Sequence, residues 1–353
     1  MSEVTTETEI PFQWRVGVHT SIAGSLDQAA EKAHEAGCTA FQIFSTNPRM
    51  WKSRELTAEE MAALARLRRR YDLHPLVIHA NYLLNLASPD AALRKQSLAA
   101  FRGEIQRAAA LGAEYLVLHP GSYRNGTAEE GIRTLARSIR EAARETPFGR
   151  VRLLLENTCG QGNTLGGSFA ELRDILALLE GLPADCCIDT AHCFAAGMDL
   201  SSPQGLEKMM AQLSETVGWE RVRVIHANDS RSPLGSRRDR HEHIGRGGIG
   251  REGFRRIVNH PALREKVFIL ETPIEAPGDD RRNLRALRSL RIPDGVSVKN
   301  YRKGATVRAA RVSKRSHGVV GRLESPGRSS AVPSASLPST PLRAGRTGAA
   351  LTE

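Results

Sequence analysis

The chain has 353 residues, 40% of them apolar, with a formal net charge of +11 and five cysteines. No apolar run reaches the roughly 18–20 residues of a membrane helix, and an odd cysteine count without any CxxC excludes a disulfide framework and a thiolate zinc site of ordinary spacing. The charge is not a property of the globular part: residues 296–353 carry a net +9, the first 295 only +2, so the high pI says little about what a folded domain binds.

The opening MSEVTTETEIPFQW is polar and acidic, which predicts a flexible segment over 1–12 and no secretory leader. A reducing cytoplasm suits the unpaired cysteines Cys38, Cys159, Cys186, Cys187 and Cys193. From residue 14 the pattern becomes regular. Short β-rich apolar runs occur at 14–20, 39–45, 75–80, 113–120, 151–157, 185–192, 221–229 and 267–273. Between them lie stretches of helical period at 25–36, 57–71, 89–111, 127–145, 168–180, 203–216 and 252–259, with a last one near 280–290. Thr57 and Ser88-Pro89 suit helix starts. Gly37, Gly112 and Gly181 suit left-handed helix ends. Eight β–α units predict a single (β/α)₈ TIM-barrel domain over 13–292 rather than an open doubly wound sheet. From 293 to 353 the chain is rich in Ser, Pro, Gly, Arg and Ala without period. This predicts a disordered basic tail, at most a salt-dependent, non-specific tether for DNA.

In a barrel, chemistry belongs to the C-terminal ends of the strands. Those ends carry His19, Thr46-Asn47, His79, His119, Glu156, Asp189 followed by His192, His226 followed by Asp229, and Glu271; the loop after the seventh run adds Asp239 and His241. A lone strand-end histidine is usually structural. Six consecutive strands delivering an imidazole or carboxylate at the same end form a cluster. Four carboxylates in one mouth repel unless cations neutralise them, and admixed imidazoles are what borderline divalent metals prefer. His79, His119, Glu156, Asp189, His192, His226, Asp239, His241 and Glu271 are therefore candidate ligands. At about three protein ligands per catalytic ion they suffice for two or three ions. The donor set fits Zn²⁺ and leaves Mn²⁺ or Fe²⁺ open.

Seven segments, HANYLLNLASP (79–89), LVLHPGS (116–122), LLLENTCGQG (153–162), CIDTAHCFAAGMD (187–199), HANDS (226–230), GSRRDRHEHIGRGGIG (235–250) and ILETP (269–273), together resemble the endonuclease IV family of apurinic/apyrimidinic-site endonucleases, AP endonuclease family 2. The resemblance runs from about residue 14 to 291; the tail has no counterpart. It implies a TIM barrel with three Zn²⁺ per chain. His79, His119 and Glu156 would hold one, Glu156, Asp189, His226 and Glu271 a second, and His192, Asp239 and His241 the third. It further implies that Arg49, Tyr82 and Leu83 penetrate DNA. Cys159 stands where the family commonly has alanine, and Arg246 where an acidic residue or lysine is frequent.

The implied activity is that of a deoxyribonuclease (EC 3.1.21.2) of base-excision repair. It hydrolyses the phosphodiester 5′ to an abasic site in double-stranded DNA, leaving 3′-hydroxyl and 5′-deoxyribose phosphate ends. Glu156 would bridge two ions and Glu271 would orient the attacking water. Arg237, Arg238 and Arg240 are candidates for phosphate contacts. A cytoplasmic monomer without membrane attachment is expected. The competing reading, a metal-dependent sugar isomerase or epimerase on the same barrel, needs only Glu156, Asp189, His226 and Glu271.

Overall fold

A computed structural model describes residues 14–293, so the segments read as a flexible N-terminus and a basic tail lie outside the described residues. Among the described residues there are ten strands: β1 (Val16–Val18), β2 (Phe41–Phe44), β3 (Leu76–His79), β4 (Tyr115–Leu118), β5 (Arg152–Glu156), β6 (Ala184–Asp189), β7 (Val222–His226), β8 (Asp229–Ser230), β9 (His241–Glu242) and β10 (Val267–Leu270). Eight form one sheet in the order β1-β10-β7-β6-β5-β4-β3-β2, all neighbours parallel. The two ends meet. Thr39 N donates to Val16 O at 2.8 Å, Thr20 N donates to Gln42 O at 2.8 Å, and His19 pairs with Gln42 in parallel. The sheet is thus a barrel with helices outside, as the eight β–α units predict. β8 and β9 form a separate antiparallel ribbon beside its mouth.

Strand alternation explains the sequence pattern. Ala40, Val77, Val117, Leu154, Cys187, Val224 and Ile269 form one fully buried apolar cluster inside the barrel. Their strand neighbours, such as Phe41, Ile78, Leu116, Leu153 and Phe268, belong to the larger core under the helices. Side chains repeat on one face every second residue. Two positions beyond each inward apolar residue stand Gln42, His79, His119, Glu156, Asp189, His226 and Glu271. Gly17 completes the apolar layer on β1, where a Cβ would lie 1.7 Å from Ala40 O; two positions on is His19. One periodicity therefore supplies both the core and the polar layer above it.

Local signals mostly act where expected. Gly37 ends the helix Leu26–Ala36 at φ 90°, and Gly112 and Gly181 also have positive φ. Ser88-Pro89 is a correction: the helix Ala91–Ala110 starts later, because Asp90 caps it by accepting from Ala92 N and Leu93 N. Ser88 Oγ instead accepts from Asp90 N at 3.2 Å. The apolar runs also overshoot the strands: β6 stops at Asp189, and His192 rides on a short helix, Thr190–Ala195.

Thr57 caps the helix Ala58–Arg70 in a reciprocal box with Glu60. Thr57→Ala is expected to cost about 1 kcal/mol, a fall of roughly 2–4 °C in thermal midpoint. Hydrogen bonds from Arg54 and the Thr57 amide lower the Glu60 carboxyl from 4.5 to about 2. A lowered folded-state value stabilises above 4.5 and is lost as pH falls toward 2. The stabilisation from Glu60 is therefore expected to fade in that acid window, read as thermal midpoint against pH.

Candidate metal centre

All nine sequence-derived candidates meet at the C-terminal mouth of the barrel. Donor atoms of eight of them form three groups, each with atoms mutually within 4.8 Å: His79, His119 and Glu156; Glu156, Asp189, His226 and Glu271; and Asp189, His192 and His241; Asp239 is the one candidate outside these groups. Glu156 is fully buried and faces two groups with different oxygens. Its Oε2 lies 3.2 Å from His79 Nε2 and 3.4 Å from His119 Nε2, and its Oε1 lies 2.9 Å from His226 Nδ1. Asp239 stands between two imidazoles, 3.1 Å from His192 Nε2 and 3.2 Å from His241 Nε2. Asp189 Oδ2 lies 3.6 Å from His241 Nε2, so the compact third group holds Asp189 where the expected set has Asp239, which reaches the two imidazoles with different oxygens.

The imidazoles are oriented by their far nitrogens. His79 Nδ1 donates to Ala80 O at 2.8 Å, His192 Nδ1 to Asn157 O at 2.9 Å, and His241 Nδ1 to Glu271 O at 3.0 Å. A proton fixed at Nδ1 leaves the Nε2 lone pair directed at the cluster, which is how proteins prepare a metal-binding imidazole. Without a cation, a carboxylate facing Nε2 demands a second proton. Although burial opposes the charge, neighbouring carboxylates hold His192 well above the usual range and His241 at about 9, and Cys187 with Glu271 and Glu156 holds His226 well above it. Burial pushes His119 down to about 4. Burial would raise Glu156, Glu271 and Asp239, but the surrounding imidazoles hold all three low, whereas burial prevails at Asp189 and raises it. A divalent cation bound among these groups would compete with protons for the same lone pairs. His241 Nε2 is buried and makes no hydrogen bond of good geometry, although Asp239 Oδ1 lies 3.2 Å away. That unsatisfied atom and the hard and borderline donor set fit a polynuclear divalent site.

Several residues that complete the site stand outside the nine candidate ligands, and of these only His19 is marked by the sequence as a strand-end residue. Gln42, fully buried, donates to Glu271 Oε1 at 2.6 Å, and its Oε1 accepts from His226 Nε2 at 2.8 Å. Asn228 Oδ1 accepts from Glu271 N at 2.7 Å, and its Nδ2 donates to Asp189 Oδ2 at 2.6 Å. Asn157 Oδ1 accepts from Asp189 N at 2.7 Å. His19 Nδ1 lies 3.3 Å from Glu271 Oε1. The inward period on β1 and β2 was the available signal for His19 and Gln42; nothing in composition marks the asparagines.

Asp229, read as a mouth residue, has a structural task. It is fully buried. Its Oδ1 accepts from Ser230 N and Ile249 N, both at 2.9 Å, and its Oδ2 from Gly245 N at 2.9 Å, Gly247 N at 3.0 Å and Gly250 N at 3.2 Å. Gly247 is required by this approach, because a Cβ there would lie 2.6 Å from Asp229 Oδ1. Asp229→Ala strands several amides at once. It is expected to cost about 3 kcal/mol or more, measured by denaturant unfolding.

The DNA-contact candidates occupy neighbouring loops. Arg49 is exposed in the loop after β2. Tyr82 is 58% exposed, although its ring edges Phe44 at 5.1 Å and His79 at 5.6 Å, so it is not an ordinary core residue. Leu83 is half-buried. Arg237, Arg238, Arg240 and Arg246 are exposed, whereas Cys159 is buried.

Comparison with known proteins places this architecture. Residues 30–290 match the family model described as xylose isomerase-like TIM barrel. A probable endonuclease 4 of Solibacter usitatus is 52% identical over 279 residues, covering 78% of this chain and 96% of that protein. A counterpart from Methanoculleus marisnigri is 41% identical over 279 residues, with 78% and 98% coverage. The crystal structure of endonuclease IV from Thermus thermophilus superposes with a TM-score of 0.69 at 41% identity, covering 78% of this chain and 98% of that one. A D-tagatose 3-epimerase-like protein shares the fold at 22% identity, with a TM-score of 0.59 and coverage of 78% and 96%. With barrel, mouth and relatives agreeing, the chain belongs to the endonuclease IV family of xylose isomerase-like TIM barrels.

Proposed function

We propose that the protein is a zinc-dependent endonuclease of base-excision repair. Its reaction is hydrolysis of the phosphodiester 5′ to an abasic site in double-stranded DNA, leaving 3′-hydroxyl and 5′-deoxyribose phosphate ends. The observation that carries the reading is the divided carboxylate of Glu156, whose two oxygens face different donor groups. His79, His119 and Glu156 would hold one Zn²⁺, Glu156, Asp189, His226 and Glu271 a second, and His192, Asp239 and His241 a third, with Asp189 Oδ2 at the edge of that last group. Such ions, when bound, lower the pKa of water toward about 7 and neutralise phosphate charge. A single-metal sugar isomerase would use only the second group. Of the other five residues, His79, His192 and His241 are each oriented by a hydrogen bond from Nδ1 to a backbone carbonyl, which favours the nuclease.

The remaining work falls to the chain. Glu156 fixes the separation of the groups it joins. Glu271 is held by Gln42 Nε2 at 2.6 Å and through its amide by Asn228, so its carboxylate has one orientation in which to align the attacking water. The water oxygen bonds to phosphorus as the bond from phosphorus to the 3′-oxygen breaks, and one proton of that water ends on the departing 3′-oxygen to give the 3′-hydroxyl. An abasic nucleotide lacks one base stack, so extruding it costs less than the few kcal/mol of an intact pair. Arg49 and the Tyr82–Leu83 wedge fill the gap and hold the bend. Among the described residues no helix is long and apolar enough to cross a membrane. Five unpaired, buried cysteines suit a cytoplasmic monomer acting on chromosomal DNA.

The test is a labelled duplex with one reduced abasic analogue. Incision on its 5′ side is expected; an intact duplex after incubation with zinc-loaded protein rejects the proposal. Glu271→Gln is expected to lose incision by on the order of 10²-fold or more while still retarding the abasic duplex on a gel. Wild-type turnover would remove Glu271 from the reaction.

A further inference from the structure

The loop that carries Arg49 is fastened at both ends by one guanidinium. Arg107, on the helix Ala91–Ala110, donates from Nε to Ser45 Oγ at 2.7 Å and from Nη1 to Ser53 Oγ at 2.9 Å. Ser45 precedes Arg49 and Ser53 follows it. Ser45 Oγ donates in turn to Glu104 Oε2 at 2.5 Å, and Glu104 Oε1 pairs with Arg107 Nη2 at 3.2 Å. Glu104 is 2% exposed. A carboxylate this deep persists only with fixed, charge-assisted partners, and the loop serines are part of that set.

Gly103 makes room for the arrangement. It lies inside the helix, where glycine is disfavoured against alanine, and a Cβ there would come within 2.9 Å of Arg107 Nη1. The middle of the loop is held from the other side. Asn81 Nδ2 donates to Met50 O at 2.7 Å, while its Oδ1 accepts from Leu83 N at 2.7 Å. The segment bearing Arg49 is thereby tied to the turn bearing Tyr82 and Leu83. Among the described residues, the Arg49 guanidinium itself has no hydrogen-bonding or ionic partner. The backbone is fixed and the charged head is free, a preparation for a partner outside the chain.

We infer that Arg107, seated by Glu104 and Gly103, is a positioning residue for lesion recognition: it orders the loop 45–53 before DNA arrives and so sets the entry of Arg49. The inference rests on the endonuclease reading above. A loop ordered in advance does not charge its ordering entropy to binding. The candidate ligands sit on other elements, so the latch acts on the capture of the damaged duplex and leaves the chemical step alone.

The experiment compares wild type with Arg107→Ala, Arg107→Lys, Gly103→Ala and Ser53→Ala. It reads KM and kcat on an abasic duplex, bound zinc, thermal midpoint, and the rate of trypsin cleavage after Arg49 and Lys52 without DNA. Arg107→Ala is expected to raise KM roughly tenfold or more, with kcat and bound zinc unchanged and trypsin cleavage accelerated. Lysine reaches one serine at a time and restores part of the loss. Gly103→Ala displaces the guanidinium while favouring the helix, so KM rises without a fall in midpoint, a split that general destabilisation does not produce. If Arg107→Ala does not fold, Gly103→Ala and Ser53→Ala decide by the same readings. Unchanged KM and trypsin rate in a wild-type background that does incise would overturn the inference and leave the endonuclease reading standing. So would a fall in kcat accompanied by lost zinc. A wild-type protein that does not incise abasic DNA removes both.

Discussion

Glu156→Gln is expected to abolish incision of an abasic duplex, a loss on the order of 10³-fold or more. The substitution keeps shape and removes the charge that two donor groups share: His79 and His119 on one oxygen, His226 on the other. An amide offers one oxygen and a nitrogen with no lone pair for a metal, so one of the two groups loses its shared carboxylate oxygen. Several kcal/mol of transition-state stabilisation rest on correctly held cations, and each 1.36 kcal/mol is tenfold in rate. Steady-state incision kinetics together with bound-metal analysis check this. Retained turnover with a full metal complement would show that Glu156 does not bridge.

Stripping the metal with a strong chelator is the second large effect. Incision is expected to disappear and to return on adding Zn²⁺. The thermal midpoint should also fall. Glu156 and Asp189 are fully buried, and a cation bound only by the folded state stabilises it by about 4 kcal/mol at a thousandfold excess over Kd, roughly 8–16 °C for a domain of this size. Calorimetry of the same sample before and after chelation reads this. A chelated protein with unchanged midpoint and unchanged incision would contradict the metal account.

Much of this was legible because one periodicity carries two messages. Val77, Val117, Leu154, Cys187, Val224 and Ile269 mark strands by being apolar, and the residues two places further on are His79, His119, Glu156, Asp189, His226 and Glu271. A reader following the core arrives at the site. The same rule also reaches His19 and Gln42, but glutamine is a poor ligand and His19 stands after a strand of only three residues. Neither is marked as a ligand by its sequence context, and both prove to hold Glu271. Asn228 and Asn157 were beyond reach, since their roles depend on carbonyls and amides that meet only after folding. Asp229 misled for a related reason. It follows a strand as the ligands do, and only the fold shows the backbone amides of 245–250 converging on it. The short helix Thr190–Ala195 was hidden because Cys186–Ala195 is buried throughout, so no exposed residue marks where the strand ends. Arg107 and Glu104 carried no signal at all: on a helix of 20 residues they look like an ordinary surface ion pair.

The central claim is that the mouth of this barrel is a polynuclear metal centre. Elemental analysis of wild-type protein, loaded with Zn²⁺ and dialysed free of excess, tests it most directly. About three equivalents per chain are predicted from nine candidate donors. One equivalent would reduce the mouth to a single-ion site such as an isomerase uses, and none would contradict the account.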